Sequence, residues 1–545
     1  MVVRGERVEA LLEPGAGAPE AEVVLDAAGL VVSPGFIDLH SHGELAHALP
    51  PSAQRALIEG RLAQGITTEI VGNCGLGAYP CASGALDLLR PIVDWMTPPQ
   101  AAGWPGGAWD DLGGYLDHLE RQGTWVNVGS LQPHGPLRLA AAGLRREAGP
   151  PERRAMAALL RRALDAGAFG LSTGLIYPPG MYAPPDELVE LAREAAAAGG
   201  PAILVASHIR GSSETLLPAV RELLDLGRAA GVRVQHSHNE AVGRGHWPKV
   251  EAVLSMEEGA RARGVDIAHD VFPYTAAATM MLAIYPPWSL EGGVHRLLER
   301  LADPAQRSAI REAIDTVEPS WPAWTPQGWP HNLVRAVGWD QITIGSVGSA
   351  HRDLEAMSLA ELGRARGRAP FDAISDLMIE ERGRVSQIIH GISGDDVHRE
   401  GLDALLSDRA AAVCTDANDH GKGKPHPAAY GAFPRVLGWV RERRLMPLEE
   451  AIRKMTSWPA ARLGLKDRGV VAPGAWADLV VLDDGGIGSS ATYEDPRRMA
   501  SGVRWVIVNG AIAWDSAHPT DARHPGAGDL PSGRVPSGRV LRRGD

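Results

Sequence analysis

Residues 30–42 read LVVSPGFIDLHSH. An apolar run of strand type ends there in His40 and His42. Residues two apart in a strand point to the same side, so the two imidazoles can converge on one ion. Neutral imidazole is a common metal ligand. The pair constrains the fold, because other donors must arrive at the same strand end. A bare His-x-His is weak by itself, since two strand histidines are often polar surface.

The chain has 545 residues, 44% of them hydrophobic. That is enough for a large core and more than one domain. Its 54 basic and 66 acidic residues give a net charge of −12. No Lys/Arg block marks a nucleic-acid footprint, and the balance suits small-molecule partners. No stretch reaches the ~18 apolar residues of a spanning helix, and MVVRGERVEALLEPG lacks the apolar core of a signal peptide. The expectation is a cytoplasmic protein without a membrane partner. Three cysteines (Cys74, Cys81, Cys414) do not make a disulfide framework, so a single Cys can serve as thiolate ligand or inert filler.

Short β-type runs alternate with helical stretches such as 152–166, 186–198 and 215–230. Strand candidates end at His40, Cys74, Ser130, Thr173, His208, His238, Asp270, His390 and Asp416. The alternation predicts βα units. A doubly wound sheet would alternate in the same way. Metal-competent residues at many carboxyl ends favour an α/β fold of the (β/α)8 TIM-like barrel type, which gathers those ends around one mouth. Residues 286–368, rich in Trp and Pro, read as an insertion near that mouth. Residues from 469 onward, and 21–32, read as short antiparallel strands. The repeated Pro-Ser-Gly-Arg-Val (531–535, 536–540) reads as an extended or mobile tail.

Further anchors follow His40 and His42. Gly72-Asn73-Cys74-Gly75 closes the next strand, with glycines that let the backbone bend tightly. Ser207-His208, Ser237-His238 and Thr415-Asp416 end later strands. One such residue is more often structural than a ligand; five strand ends carrying His, Cys or Asp are hard to explain by chance. Their order, with GAFGLSTGLIYPPG (167–180), DVFPYTA (270–276) and GAWADLVVLD (474–483), resembles the N-acyl-D-amino-acid deacylases, or D-aminoacylases, of the amidohydrolase superfamily. The resemblance runs from about residue 22 to the end, with drift near 285–380.

The resemblance implies a barrel at 34–465 and a small β-sandwich domain built from both chain ends (1–33 and 466–545). It implies Zn2+ held tightly by Cys74, His208 and His238, a set that suits a catalytic zinc, with His40, His42 and Asp416 as a weaker second site or its remnant. Asp416 would be the general base, taking a proton from the attacking water and returning it to the leaving nitrogen. Tyr177 is a candidate donor to the oxyanion, or a packed loop aromatic.

The match breaks at the substrate's carboxylate clamp. Glu240 stands where the family has Lys, and Ala428 where it has Arg; Tyr274 remains. Like charges ~4 Å apart repel by about 4 kcal/mol at an effective dielectric of 20, so an anionic substrate end beside Glu240 is disfavoured unless Arg244, Lys249, Lys422 or Lys424 compensates. The expectation is a zinc-dependent amidohydrolase acting on a small N-acylated amino compound with no free carboxylate at that seat, with the insertion's Trp288, Trp321, Trp324 and Trp329 as candidate pocket walls. The alternatives are an ordinary N-acyl-D-amino-acid deacylase with a relocated clamp, a cyclic amide or lactam hydrolase, and a non-catalytic binding protein. The sequence leaves the oligomeric state open.

Overall fold

The computed structural model describes residues 1–545 except 14, 18, 82–84, 102, 105, 106 and 519–535. Its parallel strands are β1 (Phe36–Asp38), β2 (Ile66–Val71), β3 (Asn127–Ser130), β4 (Gly170–Gly174), β5 (Leu204–His208), β6 (Arg233–His236), β7 (Ile267–Val271) and β8 (Ala411–Val413). β1 to β3 pair in order, and β4 to β8 pair in order with a short strand, Gln132–Pro133, outside β4. The Leu131 N–H donates to the Val71 carbonyl at 2.9 Å and the Phe169 N–H to the Ser130 carbonyl at 2.9 Å, joining the two sets. Beyond β8, the Asp416 N–H reaches the His40 carbonyl beyond β1 at 3.0 Å. Nearly every residue of these strands is buried, as expected of parallel strands covered on both faces.

Helices return between strands. Pro150–Asp165, Pro185–Gly199 and Leu216–Ala230 fall where periodicity placed them. The first two open with proline, whose missing N–H costs nothing at a helix start. The third buries Leu216, Ala219, Val220, Leu223, Leu224 and Leu226 on one face, the 3.6-residue stripe of a covering helix.

Three local readings are corrected. The strand ending at His390 is not part of the parallel set: Ser386–His390 lies between Ala276–Met280 and Ile342–Ser346 in an antiparallel sheet. Residues 21–30 form no strand; the chain pairs there only through Val31–Pro34, against Leu479–Leu482. An earlier hairpin, Val2–Arg4 with Arg7–Ala10, joins the C-terminal segment instead, the Val8 N–H donating to the Ala475 carbonyl at 2.9 Å. The second Pro-Ser-Gly-Arg-Val copy is anchored: the Val128 N–H donates to the Arg539 carbonyl at 2.9 Å and the Leu541 N–H to the Val128 carbonyl at 2.8 Å. The first copy, 531–535, lies outside the described residues.

Candidate metal centre

The donors gather where the strands end. His40 Nε2 lies 3.2 Å from Cys74 Sγ and 3.1 Å from Asp416 Oδ1. His238 Nε2 lies 3.4 Å from the same sulfur. Donor atoms of these four residues all fall within 4.8 Å of one another. His42 Nε2 is 3.3 Å from Asp416 Oδ1. His208 hydrogen-bonds the Cys74 sulfur, and its ring stacks edgewise on His238 at 4.3 Å between centroids. The compact group thus takes two members from each of the two expected donor sets, with His42 and His208 at its flanks.

The backbone geometry differs from a continuous strand. β1 stops at Asp38, and His40 and His42 sit in the bend beyond it. The Asp38 carboxylate holds this bend, accepting from the His40 N–H at 3.3 Å and the Thr415 N–H at 3.1 Å. Cys74, His238 and Asp416 have φ of 53°, 35° and 46°, a region that costs non-glycine residues of order 1 kcal/mol or more and persists where surroundings over-determine it. Gly72 and Gly75 flank the cysteine at φ 77° and 61°. A Cβ on Gly75 would sit 2.4 Å from the Gly174 nitrogen, so the expected tight bend has a steric cause.

The charges are interdependent. Burial alone would raise the Cys74 thiol, but His40 and His238 pull it well below its usual range. Burial likewise opposes ionisation of Asp416, yet His40 and His238 hold it well below the usual carboxylate value. Against the cost of burial, His42 is pushed up to about 9 and His238 to about 10 by the same two anions. The site therefore concentrates anionic donors that require positive charge. A tetrahedral zinc shell places its donors roughly 3.3–3.8 Å apart, from bonds of ~2.0–2.3 Å, close to the 3.2 and 3.4 Å at the Cys74 sulfur and the 3.1 Å between His40 and Asp416. Thiolate, imidazole and carboxylate are donors that zinc accepts, and His42 Nδ1 and His208 Nδ1 are buried without a protein partner. The residues fit such an ion.

Asp270 was overlooked as a site residue, although β7 runs through it. Its Oδ1 lies 3.0 Å from His40 Nδ1 and accepts from the His238 N–H at 2.7 Å. A carboxylate on the second ring nitrogen fixes a ligating histidine's tautomer and orientation. Its only sequence signal was a carboxylate near another strand end.

A cleft lies over the cluster, walled by Tyr177, Glu240, Thr279, His331 and Trp95. The Tyr177 hydroxyl is 2.8 Å from Thr279 Oγ1. Glu240 is 8% exposed, and its Oε2 has no protein partner; burial foremost raises its carboxyl to about 7. Tyr274 packs against His426, with ring centroids 5.0 Å apart, and is absent from this wall. Ala428 is buried in helix Ala428–Arg443, its carbonyl accepting from Gln64, and it too is absent from the wall. The insertion's tryptophans do not line the cleft; Trp95 does. Lys249 donates to the Ser213 and Glu214 carbonyls, at 2.7 and 3.0 Å. The Arg244 guanidinium lies 6.0 Å from the centroid of the Trp247 ring. Neither residue lines the cleft.

No helix among the described residues is long and apolar enough to cross a membrane. The amidohydrolase family model matches residues 23–513. N-acyl-D-glutamate deacylase of Alcaligenes xylosoxydans xylosoxydans is 34% identical, over 99% of this chain and 92% of its own. D-aminoacylase of the same organism is 31% identical, over 94% and 90%. The crystal structure of N-acyl-D-glutamate deacylase from Bordetella bronchiseptica, with zinc and a phosphonate mimic of the tetrahedral intermediate, superposes with a TM-score of 0.75 at 30% identity, covering 99% of this chain and 94% of that one. The chain belongs to the amidohydrolase family, within its N-acyl-D-amino-acid deacylase branch.

Proposed function

We propose that the protein is a zinc-dependent amidohydrolase that cleaves the amide C–N bond of an N-acylated amino compound, and that the amine part of the substrate, facing Glu240, carries no free carboxylate there. Residues 34–465 form the catalytic unit, with the two chain ends as its small β-domain. Cys74 and His238 would hold the metal with His208 beside them, and His40, His42 and Asp416 would complete the donor set. When bound, zinc would polarise the amide carbonyl and acidify water. Asp416 accepts a proton from the attacking water at its carboxylate and returns it to the leaving nitrogen. Tyr177 donates its O–H toward the carbonyl oxygen as charge develops. Burial above all, then the negative charge of Cys74, raises this phenol's pKa well above the usual value, so the proton stays available. Glu240, its carboxyl raised to about 7 by burial, disfavours an anion when ionised and then accepts a hydrogen bond or an ammonium.

The carrying observation is the convergence of His40, Cys74, His238 and Asp416 on one point beneath a cleft that also holds Tyr177 and Glu240. Hydrolysis of a panel of acyclic and cyclic amides, before and after chelator treatment, tests it. Loss of acyclic amidase activity on chelation, with return on adding zinc, supports the reading; activity confined to cyclic amides, or none at all, removes it. A second reading, an N-acyl-D-amino-acid deacylase that accepts the free acid, is favoured by the 34% identity to N-acyl-D-glutamate deacylase. Comparing an N-acyl-D-amino acid with its primary amide separates the two.

A further inference from the structure

The cleft over the donor cluster has two lobes. One is walled by Glu240 and Tyr177. The other is walled by Lys422 and Lys424, with Asn418 and His420. His42, Trp95, Ala278 and Asp416 border both, so the lobes meet at the metal ligands.

Their charges are opposed. Among the described residues, the first lobe's wall holds Glu240 and Asp416 and no Lys or Arg. The second holds two lysines, and among the described residues its only carboxylate is the shared Asp416. An ammonium has three donors. Lys422 Nζ donates to the Asp94 carbonyl at 2.5 Å and lies 3.7 Å from the Asp94 carboxylate. Lys424 Nζ donates to the Glu494 carbonyl at 3.1 Å. Among the described residues Lys424 has no carboxylate within ion-pair distance. Trp95 Nε1 can only donate, and it is buried without a partner among the described residues. Two ammonium-bearing side chains and an indole thus border the same lobe.

We propose that the Lys422–Lys424 lobe seats a carboxylate on the acyl part of the substrate, making the substrate class half-amides of dicarboxylic acids. The proposal rests on the reading that the amine part faces Glu240. Hydrolysis then adds water across the C–N bond and releases a dicarboxylate and the amine.

The test compares kcat/KM of the zinc-loaded full-length protein for N-glutaryl-D-alaninamide and N-pentanoyl-D-alaninamide, which differ by the distal carboxylate. The wild type is expected to prefer the glutaryl compound by about tenfold or more, through KM, since each half-buried charge contact is worth up to roughly tenfold. Lys422→Gln with Lys424→Gln should bring the two compounds within about twofold of each other, whereas Lys424→Arg should keep most of the preference. Equal wild-type rates, or a preference that survives the double glutamine variant, would overturn the proposal. Turnover of N-acetyl-D-alanine with neither amide cleaved would overturn the reading of Glu240 and the carboxylate seat with it. Absence of turnover on all three compounds would count against the amidase reading itself.

Discussion

The Asp416 N–H donates to the His40 carbonyl at 3.0 Å while the Asp416 carboxylate lies 3.1 Å from His40 Nε2. The segment after β8 is therefore tied to the segment after β1 twice, once through backbone and once through the donors. The backbone contact fixes where the carboxylate points, and it separates the chemical role of Asp416 from its structural one. Asp416→Asn should retain the fold and the backbone contact yet lose ~10²–10⁴ in kcat, because in the proposed mechanism one group serves both proton transfers. Circular dichroism and steady-state kinetics check both halves; a loss of only a few-fold would move the base elsewhere.

Asp270 should matter through His40. Asp270→Asn leaves a group of similar size but removes the anion from His40 Nδ1, 3.0 Å away. Zinc affinity is expected to fall ~10–100-fold, the usual effect of losing such a partner, with the secondary structure unchanged. Titration against a competing chelator reads the affinity. An unaltered affinity would show that the ring is oriented by packing alone.

The His-x-His bend also leans on a buried charge network. Glu69 accepts from Ser41 Oγ at 2.7 Å, lies 3.1 Å from His47 Nε2, and pairs with Arg61. Burial opposes its ionisation, but Arg61 and His47 bring its pKa from 4.5 down to about 2. A carboxylate depressed on folding stabilises the native state above its unfolded pKa and loses that stability as pH falls through the folded value. Glu69→Gln should cost about 3 kcal/mol at neutral pH, and the gap to wild type should close between pH 4.5 and about 2. Urea unfolding at several pH values tests this; a gap independent of pH would contradict the assignment.

Much of the site was legible because strand ends advertise it. His40, His42, Cys74, His208, His238 and Asp416 each follow an apolar run, and the parallel strands bring those ends together. What periodicity did not reveal was pairing direction. Ser386–His390 has the same β-type composition as a parallel strand, but its partners are Ala276–Met280 and Ile342–Ser346, and only long-range pairing decides that. Asp270 was invisible as a positioning residue because a carboxylate near a strand end has no mark of the ring it orients. The clamp positions were legible in part: Glu240 does face the cleft. Tyr274 and Ala428 sit behind it, since a loop's sequence order says little about which side chain turns inward.

That burial changes the engineering expected at the clamp. Ala428 is fully buried, so Ala428→Arg should disrupt packing rather than build a cation into the site. Glu240→Lys alone is the informative change. The wild type should favour the primary amide of an N-acyl-D-amino acid over the free acid, and Glu240→Lys should shift that ratio toward the acid by roughly tenfold or more, because the sign of one nearby charge is reversed. The kcat/KM ratio is the readout. A wild-type preference for the acid would mean that its carboxylate avoids Glu240.

Cys74 is the anionic centre of the proposed metal site. Metal analysis of the purified wild type beside Cys74→Ala tests this most directly. About one tightly held zinc per chain is expected in the wild type, by analogy with sites of this donor chemistry, and its loss together with activity in Cys74→Ala. Full zinc occupancy in Cys74→Ala, or a fully active wild type free of metal, would contradict it.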